Sequence, residues 1–392
     1  MTTSRDPAHA RTSRQPAPSG RSAPAGPTDA DAPTPGAPAP SRDVFWDAVR
    51  GVCILGVVWT HTRTGIPYLD GPHAWNFDAW LVVREVWNFP VAVFVFLAAF
   101  FVRPARVLER PGAWLRSRAV RLGVPFLVWS TAFTLLGAAL AGTRDVRRLV
   151  RDVVLGASAP HLYFVLVLLQ LVVVTPLLLR VLEARWRWVM WLVTPAFAVW
   201  LYVRTLADGG PPSFSNTWLL GWFGFYWAGL WVRRYGTPRV GVRAAVVIAV
   251  LATAASVAEA ALLVRAGVDV GFAVGQLSGT SVVAAFAVVL LLVVWHERRT
   301  DRGDTPPPGR FARALAHLGR DSYGIYYVHV LWLTLLWRAV APPWSGDGLV
   351  AMPVLPLLQL AEAAGALALS LGLMAAVRAL VGRTAASRWL GF

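Results

Sequence analysis

The first apolar segment of the chain contains the stretch Arg50-Gly-Val-Cys-Ile-Leu-Gly-Val-Val-Trp-Thr-His61. A helix turns about 100° and rises about 1.5 Å per residue, so the two ends of this stretch lie on one face and are separated by roughly 16 Å. That separation is about half of the apolar thickness of a bilayer. Because an arginine and a histidine inside a membrane are costly unless they face a protein interior or a water-filled cavity, the stretch predicts a membrane helix with a functional face.

Composition predicts an all-α, polytopic transmembrane bundle. Of the 392 residues, 56% are hydrophobic and 15% are charged, and the mean hydropathy is +0.53. Apolar runs of about membrane-spanning length recur along the chain, which is typical of a multi-pass membrane protein and not of a soluble core. We predict ten spans, at residues 45–64, 80–102, 122–141, 161–182, 188–204, 217–232, 243–264, 272–295, 321–340 and 354–380.

The basic residues predict the topology. All 37 of them are arginines, and the formal net charge is +16. Such a charge suggests a polyanionic partner, but most of the arginines lie in short loops, where topology and lipid headgroups explain them better than nucleic acid does. They concentrate on the side of the N-terminus, which predicts both termini in the cytoplasm. Residues 1–41, rich in Pro, Ala, Ser and Thr, are predicted to form a disordered cytoplasmic tail.

One outer loop, residues 142–160, departs from this charge pattern. It carries Arg144, Arg147, Arg148 and Arg151, diluted by two aspartates. A helix with basic residues on one face and apolar residues on the other lies in the plane of a membrane surface. We therefore treat the loop as a candidate amphipathic segment on the outer surface.

The paired residues of the first span have two interpretations. An imidazole titrates near neutral pH, which suits His61 to act as a general base, with Arg50 as its partner on the same helix face. In the structural alternative, Arg50 extends to the inner lipid headgroups and His61 donates one hydrogen bond to a neighbouring helix.

Two arginines precede the third span. Arg118 and Arg121 are three residues apart and share a helix face, and Pro125 removes the helical partner of the Arg121 carbonyl. Two guanidinium groups at the start of a helix suit a phosphate-rich ligand, because each binds phosphate through paired hydrogen bonds and the helix dipole adds to the field. Anchoring of the span at the cytoplasmic surface is the alternative.

A polar stripe opens the ninth predicted span. Ser322, Tyr326 and His329 follow one another at helical spacing, after Asp321 or Ser322 as the N-cap. The stripe either lines a cavity or holds neighbouring helices together by hydrogen bonds. The sequence has no Walker loop, no dinucleotide fingerprint and no His-Glu-x-x-His pair, so we expect neither a resident cofactor nor a metal site.

In this order along the chain, the three motifs resemble the acyltransferase-3 family of integral-membrane O-acyltransferases. The family's arginine, ten residues and histidine match residues 50–61, its Arg-x-x-Arg matches residues 118–121, and its Ser-Phe-Gly-Ile-Tyr-Leu-x-His is similar to residues 322–329. The resemblance covers about residues 43–385, which predicts a transmembrane domain at 42–385 and a short C-terminal tail at 386–392.

The family pattern differs from this chain in two places. The family usually has Phe-x-Ser-Gly-Tyr at the end of span two, where this chain has Phe96-Leu-Ala98-Ala99-Phe100. The aromatic pair that opens span four, which often carries Trp, reads His161-Leu-Tyr163-Phe164 here.

The resemblance implies a multi-pass enzyme of the bacterial cytoplasmic membrane. Such enzymes transfer an acyl group, commonly acetyl, from acyl-CoA in the cytoplasm to a hydroxyl of a cell-envelope glycan or related acceptor. In this chain His61 and Arg50 are then expected to be catalytic, and Arg118 and Arg121 to bind the donor. The competing interpretation is a transporter or flippase of a glycan or lipid-linked sugar, with His61 as a proton relay.

Overall fold

The first helix begins where the sequence supplies a cap. The Asp43 carboxylate accepts a hydrogen bond of 2.9 Å from the Phe45 N–H, and α1 then runs through the apolar stretch Val44–Thr60. In the computed structural model, the residues that are described are 43–62, 75–142, 145–301, 308–340 and 355–392. The tail predicted at 1–41 lies outside them.

Helices account for nearly all of the regular structure in the described part of the chain, which contains no β-strand. The elements are α1 Val44–Thr60, α2 Trp75–Val86, α3 Pro90–Phe100, α4 Pro104–Glu109, α5 Pro111–Ala141, α6 Val146–Leu155, α7 Tyr163–Val181, α8 Val193–Asp208, α9 Leu219–Tyr235, α10 Val242–Arg265, α11 Val270–Ala273, α12 Gly279–Asp301, α13 Arg310–Arg320, α14 Ser322–Val340, α15 Leu355–Val381 and α16 Arg383–Leu390, with 3₁₀ turns at Arg187–Leu192 and Ser215–Thr217.

Seven segments of the described residues are long and apolar enough to cross a membrane. They are Phe77–Phe100, Pro111–Ala141, Tyr163–Val181, Arg187–Asp208, Val242–Arg265, Gly279–Asp301 and Leu357–Val381. The other three predicted spans coincide with α1 and α9, each 17 residues long, and with α14, whose apolar part is Ser322–Leu336. The all-α membrane architecture is therefore confirmed, whereas the count of ten spans and the cytoplasmic termini stay predictions.

Two predicted spans are less regular than their hydropathy indicates. The second is divided into α2 and α3, because Pro90 cannot donate a helical hydrogen bond and begins a new helix at its first position. The eighth begins at Gly279 instead of residue 272, since Val270–Ala273 forms the separate short helix α11.

A hydrogen bond and an ion pair define one end of the bundle. At this end His296, near the end of α12, lies 2.5 Å from the Asp43 carboxylate at the start of α1. Arg234, from the last turn of α9, donates here to Glu183, which follows α7, at 2.6 Å. We call this end, where α1 begins and where α7, α9 and α12 finish, the arginine end.

The centre of the bundle is α9. Ten consecutive residues of this helix, from Gly221 to Leu230, are buried, including Trp222 and Trp227. Peripheral helices such as α10 instead expose valines and leucines on one face, for example Leu251 at 65%. A helix that is apolar on all sides is surrounded by protein or lipid, and this distribution is that of a membrane bundle whose outer face meets lipid.

Two glycines bring α13 against α1. A Cβ at Gly51 would lie 2.0 Å from the Leu315 carbonyl oxygen, and a Cβ at Gly319 would lie 1.7 Å from the Asp47 carbonyl oxygen. Small residues of this kind let two helix backbones approach closely. Because α14 follows α13 after a single residue, this contact also fixes the start of α14.

The segment predicted as a surface loop at 142–160 contains α6. Asp145 caps this helix by accepting hydrogen bonds from the N–H groups of Arg147 and Arg148. None of its residues is buried, and Val146, Val150 and Val154 expose one apolar face. The amphipathic helix is thus present, and its position on the outer surface of the membrane stays a prediction.

The C-terminal residues pack against the bundle. Residues 386–392, predicted as a short tail, largely belong to α16, and the Trp129 side chain of α5 donates to the Leu390 carbonyl at 3.1 Å. The terminal Phe392 is buried and lies 5.9 Å from the Trp129 ring, centroid to centroid.

Candidate active site

A cavity of about 540 Å³ opens at the end of the bundle opposite the arginine end. Its walls come from the C-terminal end of α1, from α2 and α3, and from the start of α7. Single residues of α8, α9 and α14 and the segments 211–216 and 271–278 complete the lining. Its volume lies in the usual range for a ligand pocket, and its lining combines aromatic rings with a few polar groups, as such pockets do.

The cavity exists because α1 stops early. His61 is the C-cap residue of α1, and the preceding Thr60 carbonyl accepts a hydrogen bond of 2.8 Å from Arg84. Arg84 lies seven residues into the 24-residue segment Phe77–Phe100, so it is roughly 10 Å from the start of that segment. His61 is therefore at the end of its helix and not within it as predicted. Even so, the neighbouring segment Phe77–Phe100 begins roughly 10 Å beyond the level of His61, so His61 does not lie at the surface of the bundle.

Three histidines converge at this point from three parts of the chain. The ring centroids of His61 and His329 are 5.3 Å apart, those of His161 and His329 are 5.1 Å apart, and those of His61 and His161 are 6.1 Å apart. His61 and His161 line the cavity, and His329 lies buried behind them. The described residues contain no group of three histidine, cysteine or acidic side chains arranged to hold a metal ion.

The hydrogen bonds around the cluster orient two of its residues. His329 Nδ1 lies 3.0 Å from the Ile325 carbonyl oxygen, which can only accept, so Nδ1 carries the proton and Nε2 has a lone pair. Tyr326, one of the cavity walls, donates to the His161 backbone carbonyl at 2.6 Å. The two ring nitrogens of His161 and the Nε2 of His329 are buried without a hydrogen-bond partner among the described residues.

Arg84 brings a guanidinium group to the same place. It lines the cavity, and its Nε is buried without a hydrogen-bond partner in the described part of the chain. The neighbouring carboxylate of Glu85 points into a separate buried network, where it accepts from Ser256, Ser281 and Asn88. Arg84 forms no ion pair with a carboxylate among the described residues.

A comparison with known protein families identifies the family to which the chain belongs. The acyltransferase-3 family model, described as an acyltransferase domain, matches residues 43–378. The chain belongs to this family. It is thus a membrane acyltransferase, and the match covers nearly the whole predicted domain. No curated protein and no solved structure matches the chain significantly.

Arg50 lies apart from the cavity of this acyltransferase. Its Nη1 bonds the Asp47 carboxylate at 3.0 Å, and its guanidinium stacks over the Phe101 ring at 4.9 Å. By helix geometry it is roughly 16 Å from His61 along α1, at the arginine end. The structure therefore does not bring Arg50 and His61 together, and a catalytic role for Arg50 stays a prediction.

Arg118 and Arg121 also lie outside the cavity lining. The predicted placement at a helix start is wrong, because α5 begins at Pro111 and continues through Pro125 without a break. The dipole of the helix N-terminus therefore contributes little at these positions. Arg118 is half-buried beside the Trp114 ring, and Arg121 is exposed.

A row of tyrosines separates the arginine pair from the histidines. Arg121 interacts electrostatically with Tyr323, whose hydroxyl lies 3.0 Å from that of Tyr327. The Tyr323 ring stacks on Tyr326 with centroids 6.5 Å apart, and Tyr326 in turn lies 5.1 Å from the His161 ring.

The predicted polar stripe contributes unequally to the cavity. Of its three residues, Tyr326 lines the cavity, whereas Ser322 and His329 are buried within the bundle. The cavity-lining interpretation therefore applies to Tyr326, whose hydroxyl also bonds the His161 carbonyl, and a role for Ser322 and His329 stays a prediction.

Neither replacement of the family's Ser-Gly pair lines the cavity. Ala98 is exposed, and Ala99 is buried against Gly229 of α9, where a Cβ on the glycine would lie 2.7 Å from the Ala99 Cβ. The substitution therefore belongs to the packing of α3 on α9. The other departure, at His161, falls in the cavity itself.

Two residues of this site were not predicted from the sequence. His161 appeared only as a departure from the family pattern, although a histidine at the start of an apolar span is itself an unusual feature. Arg84 lies in the second predicted span, and an arginine within an apolar segment is the signal that identified Arg50.

Proposed function

We propose that this acyltransferase is a membrane-bound O-acyltransferase of the bacterial cytoplasmic membrane. It moves an acyl group, in the first instance acetyl, from cytoplasmic acyl-CoA to a hydroxyl of a cell-envelope glycan. The observation that carries the proposal is His61, which lines a cavity inside the bundle together with His161, Arg84 and Tyr326.

In the proposed reaction His61 acts as the general base. Its ring nitrogen takes the proton of the acceptor hydroxyl while the hydroxyl oxygen attacks the thioester carbonyl carbon. The carbon–sulfur bond then breaks, the ester forms, and the CoA thiolate leaves with the proton that His61 gives up. A variant of this scheme, in which His61 carries the acyl group between donor and acceptor, uses the same residue and releases the same products.

The donor is proposed to bind at the arginine end. Acyl-CoA carries several phosphate charges, and Arg118 and Arg121 offer two guanidinium groups there. From that position its pantetheine arm extends along the tyrosine row toward His61. Because the cavity lining includes neither arginine, this route requires Tyr323 or Tyr326 to move when the donor binds.

The decisive experiment measures thiol release by the purified full-length protein in detergent with acetyl-CoA and envelope glycan extracts. General-base catalysis contributes about 10²–10⁴-fold in rate, so His61→Ala is expected to reduce thiol release and glycan acetylation by that factor. His317→Ala is the matched control, because that side chain is 74% exposed at the arginine end.

Two results would count against the proposal. Thiol release by His61→Ala at the wild-type rate would exclude His61 as the base. Movement of glycan across a vesicle membrane without any thiol release would instead identify a transporter.

A further inference from the structure

We propose that the acceptor of this enzyme carries a standing negative charge, a phosphate or a carboxylate, which Arg84 binds next to His61. The inference rests on the proposed function for the nature of the reaction, but the charge of the cavity can be tested without any turnover.

The cavity contains a cation that its walls do not balance. Among the described residues that line it, none is acidic, and Arg84 is the one arginine. Its Nη1 is held by the Thr60 carbonyl, which leaves the buried Nε without a hydrogen-bond partner in the described structure. A buried guanidinium that forms no ion pair and keeps one N–H without a hydrogen-bond partner is unfavourable, so this arrangement favours a ligand that supplies the opposite charge.

The nearest carboxylate, that of Glu85, is hydrogen-bonded to other residues. Glu85 follows Arg84 in α2, yet it accepts from Asn88 at 2.9 Å, from Ser281 at 2.9 Å and from Ser256. These bonds join α2 to α10 and α12 and hold the carboxylate away from the cavity. Glu85 still interacts electrostatically with Arg84, but the two side chains form no ion pair, so the guanidinium stays available to a ligand.

The remaining lining suits the rest of a sugar. Trp87 and Trp222 contribute aromatic side chains to the lining, and Tyr163 donates to Gln276 at 2.9 Å, which fixes a polar group in the wall. Both ring nitrogens of His161 are also buried in this wall without a partner among the described residues. Hydrogen-bonding groups and one cation thus surround a space that His61 also lines.

A standing charge on the ligand explains the site better than the oxyanion of the transition state. An oxyanion is present only while the reaction proceeds, whereas Arg84 is charged at all times. An acceptor anion would bind to the free enzyme and affect KM, whereas stabilisation of an oxyanion would affect kcat for charged and neutral acceptors alike.

The test is calorimetric titration of the full-length protein in a neutral detergent with glucose, glucuronate, glucose 1-phosphate, inorganic phosphate and CoA. Hydrogen bonds to charged groups predict that one or both anionic sugars bind about ten- to a hundredfold more tightly than glucose. The carboxylate and phosphate arms identify which anion the site prefers. Arg84→Gln is expected to remove the preference and Arg84→Lys to retain part of it.

Arg204→Gln is the matched control. This arginine lies near the C-terminal end of α8, pairs with Asp208 and is 51% exposed, so its loss leaves the preference for anionic sugars unchanged. Raising the ionic strength should weaken the binding of the anionic sugars and leave the binding of glucose unchanged. This test uses the wild type, so it holds even if Arg84→Gln fails to fold.

Equal affinity for the three sugars would overturn the inference, as would a preference that survives Arg84→Gln. Loss of CoA binding alone in that variant would assign the charge to the donor and also overturn it. If the protein binds anionic sugars but releases no thiol from acetyl-CoA, the proposed function fails while the charge of the cavity stands.

Discussion

Replacing Gly319 by alanine tests how α13 positions the site. A Cβ at this residue would lie 1.7 Å from the Asp47 carbonyl oxygen, and real Cβ contacts essentially never fall below 3.0 Å, so the helices would have to separate by about 1.3 Å. The obstacle is backbone and cannot rotate away. A gap of this size removes a large part of the dispersion energy along the contact. Overpacking of this kind costs about 1–3 kcal/mol, and we expect Gly319→Ala to lie at the upper end.

Thermal unfolding of the purified protein measures the effect, with Gly137→Ala as the control. Gly137 lies inside α5, and apart from its chain neighbours and the nearby backbone of α5, no described atom lies within 4 Å of the point that a Cβ there would occupy. Alanine should therefore be neutral or stabilise the helix by up to about 1 kcal/mol. Since α14 follows α13 directly, Gly319→Ala should also displace His329 and lower activity. Equal melting temperatures for the two variants would refute the close packing of α13 on α1.

Three further predictions concern other contacts. The Thr194 hydroxyl accepts from the Gly224 N–H and donates to the Leu220 carbonyl, both at 2.8 Å, so Thr194→Val should lower the free energy of unfolding by about 1–3 kcal/mol. Thr205→Val is the control and should cost less, because the Thr205 hydroxyl bonds the Leu201 carbonyl of its own helix. Thermal unfolding measures both variants. Tyr326→Phe removes the bond to the His161 carbonyl and should lower kcat/KM while the fold survives, as steady-state kinetics and circular dichroism would show. Burial opposes ionisation of Asp43, but the hydrogen bond and charge of His296 and two backbone N–H groups hold its pKa below the usual 3.8. The ionised Asp43 therefore stabilises the fold above pH 3.8, and this contribution is lost as the pH falls through the lowered pKa. In Asp43→Asn the free energy of unfolding should fall less in acid than in the wild type, which unfolding measured at several pH values would show.

Sequence patterns predicted the helices better than their ends. Each predicted span contains a helix, because length and hydropathy are local properties. The start of α5 was missed, although Pro111 follows Arg110 and proline favours the first position of a helix. A hydropathy window detects where a helix enters lipid, and α5 extends well before that point. The role assigned to the helix dipole at Arg118 and Arg121 failed for this reason.

The site was predicted only in part because its residues come from separate helices. Periodicity placed Ser322, Tyr326 and His329 on one stripe, but it cannot tell which neighbour the stripe meets. His161 joins His61 and His329 only through the packing of α1, α7 and α14. Arg84 reaches the Thr60 carbonyl because α1 ends there, whereas the predicted span continued to residue 64, since hydropathy locates a helix end only to within a few residues.

The separation between the arginine pair and the cavity constrains any mechanism of this type. Arg118 and Arg121 lie on α5 toward the arginine end, whereas the cavity opens at the opposite end, and the tyrosine row lies between them. Under the proposed mechanism, a donor held by the arginines and an acceptor held in the cavity would approach His61 from opposite sides, so the acyl end of the pantetheine arm would have to pass the tyrosines. A shift of Tyr326 that admitted the acyl group would break its hydrogen bond to the His161 carbonyl. Donor binding would then be coupled to the position of a cavity histidine, because one tyrosine belongs to both the route and the wall.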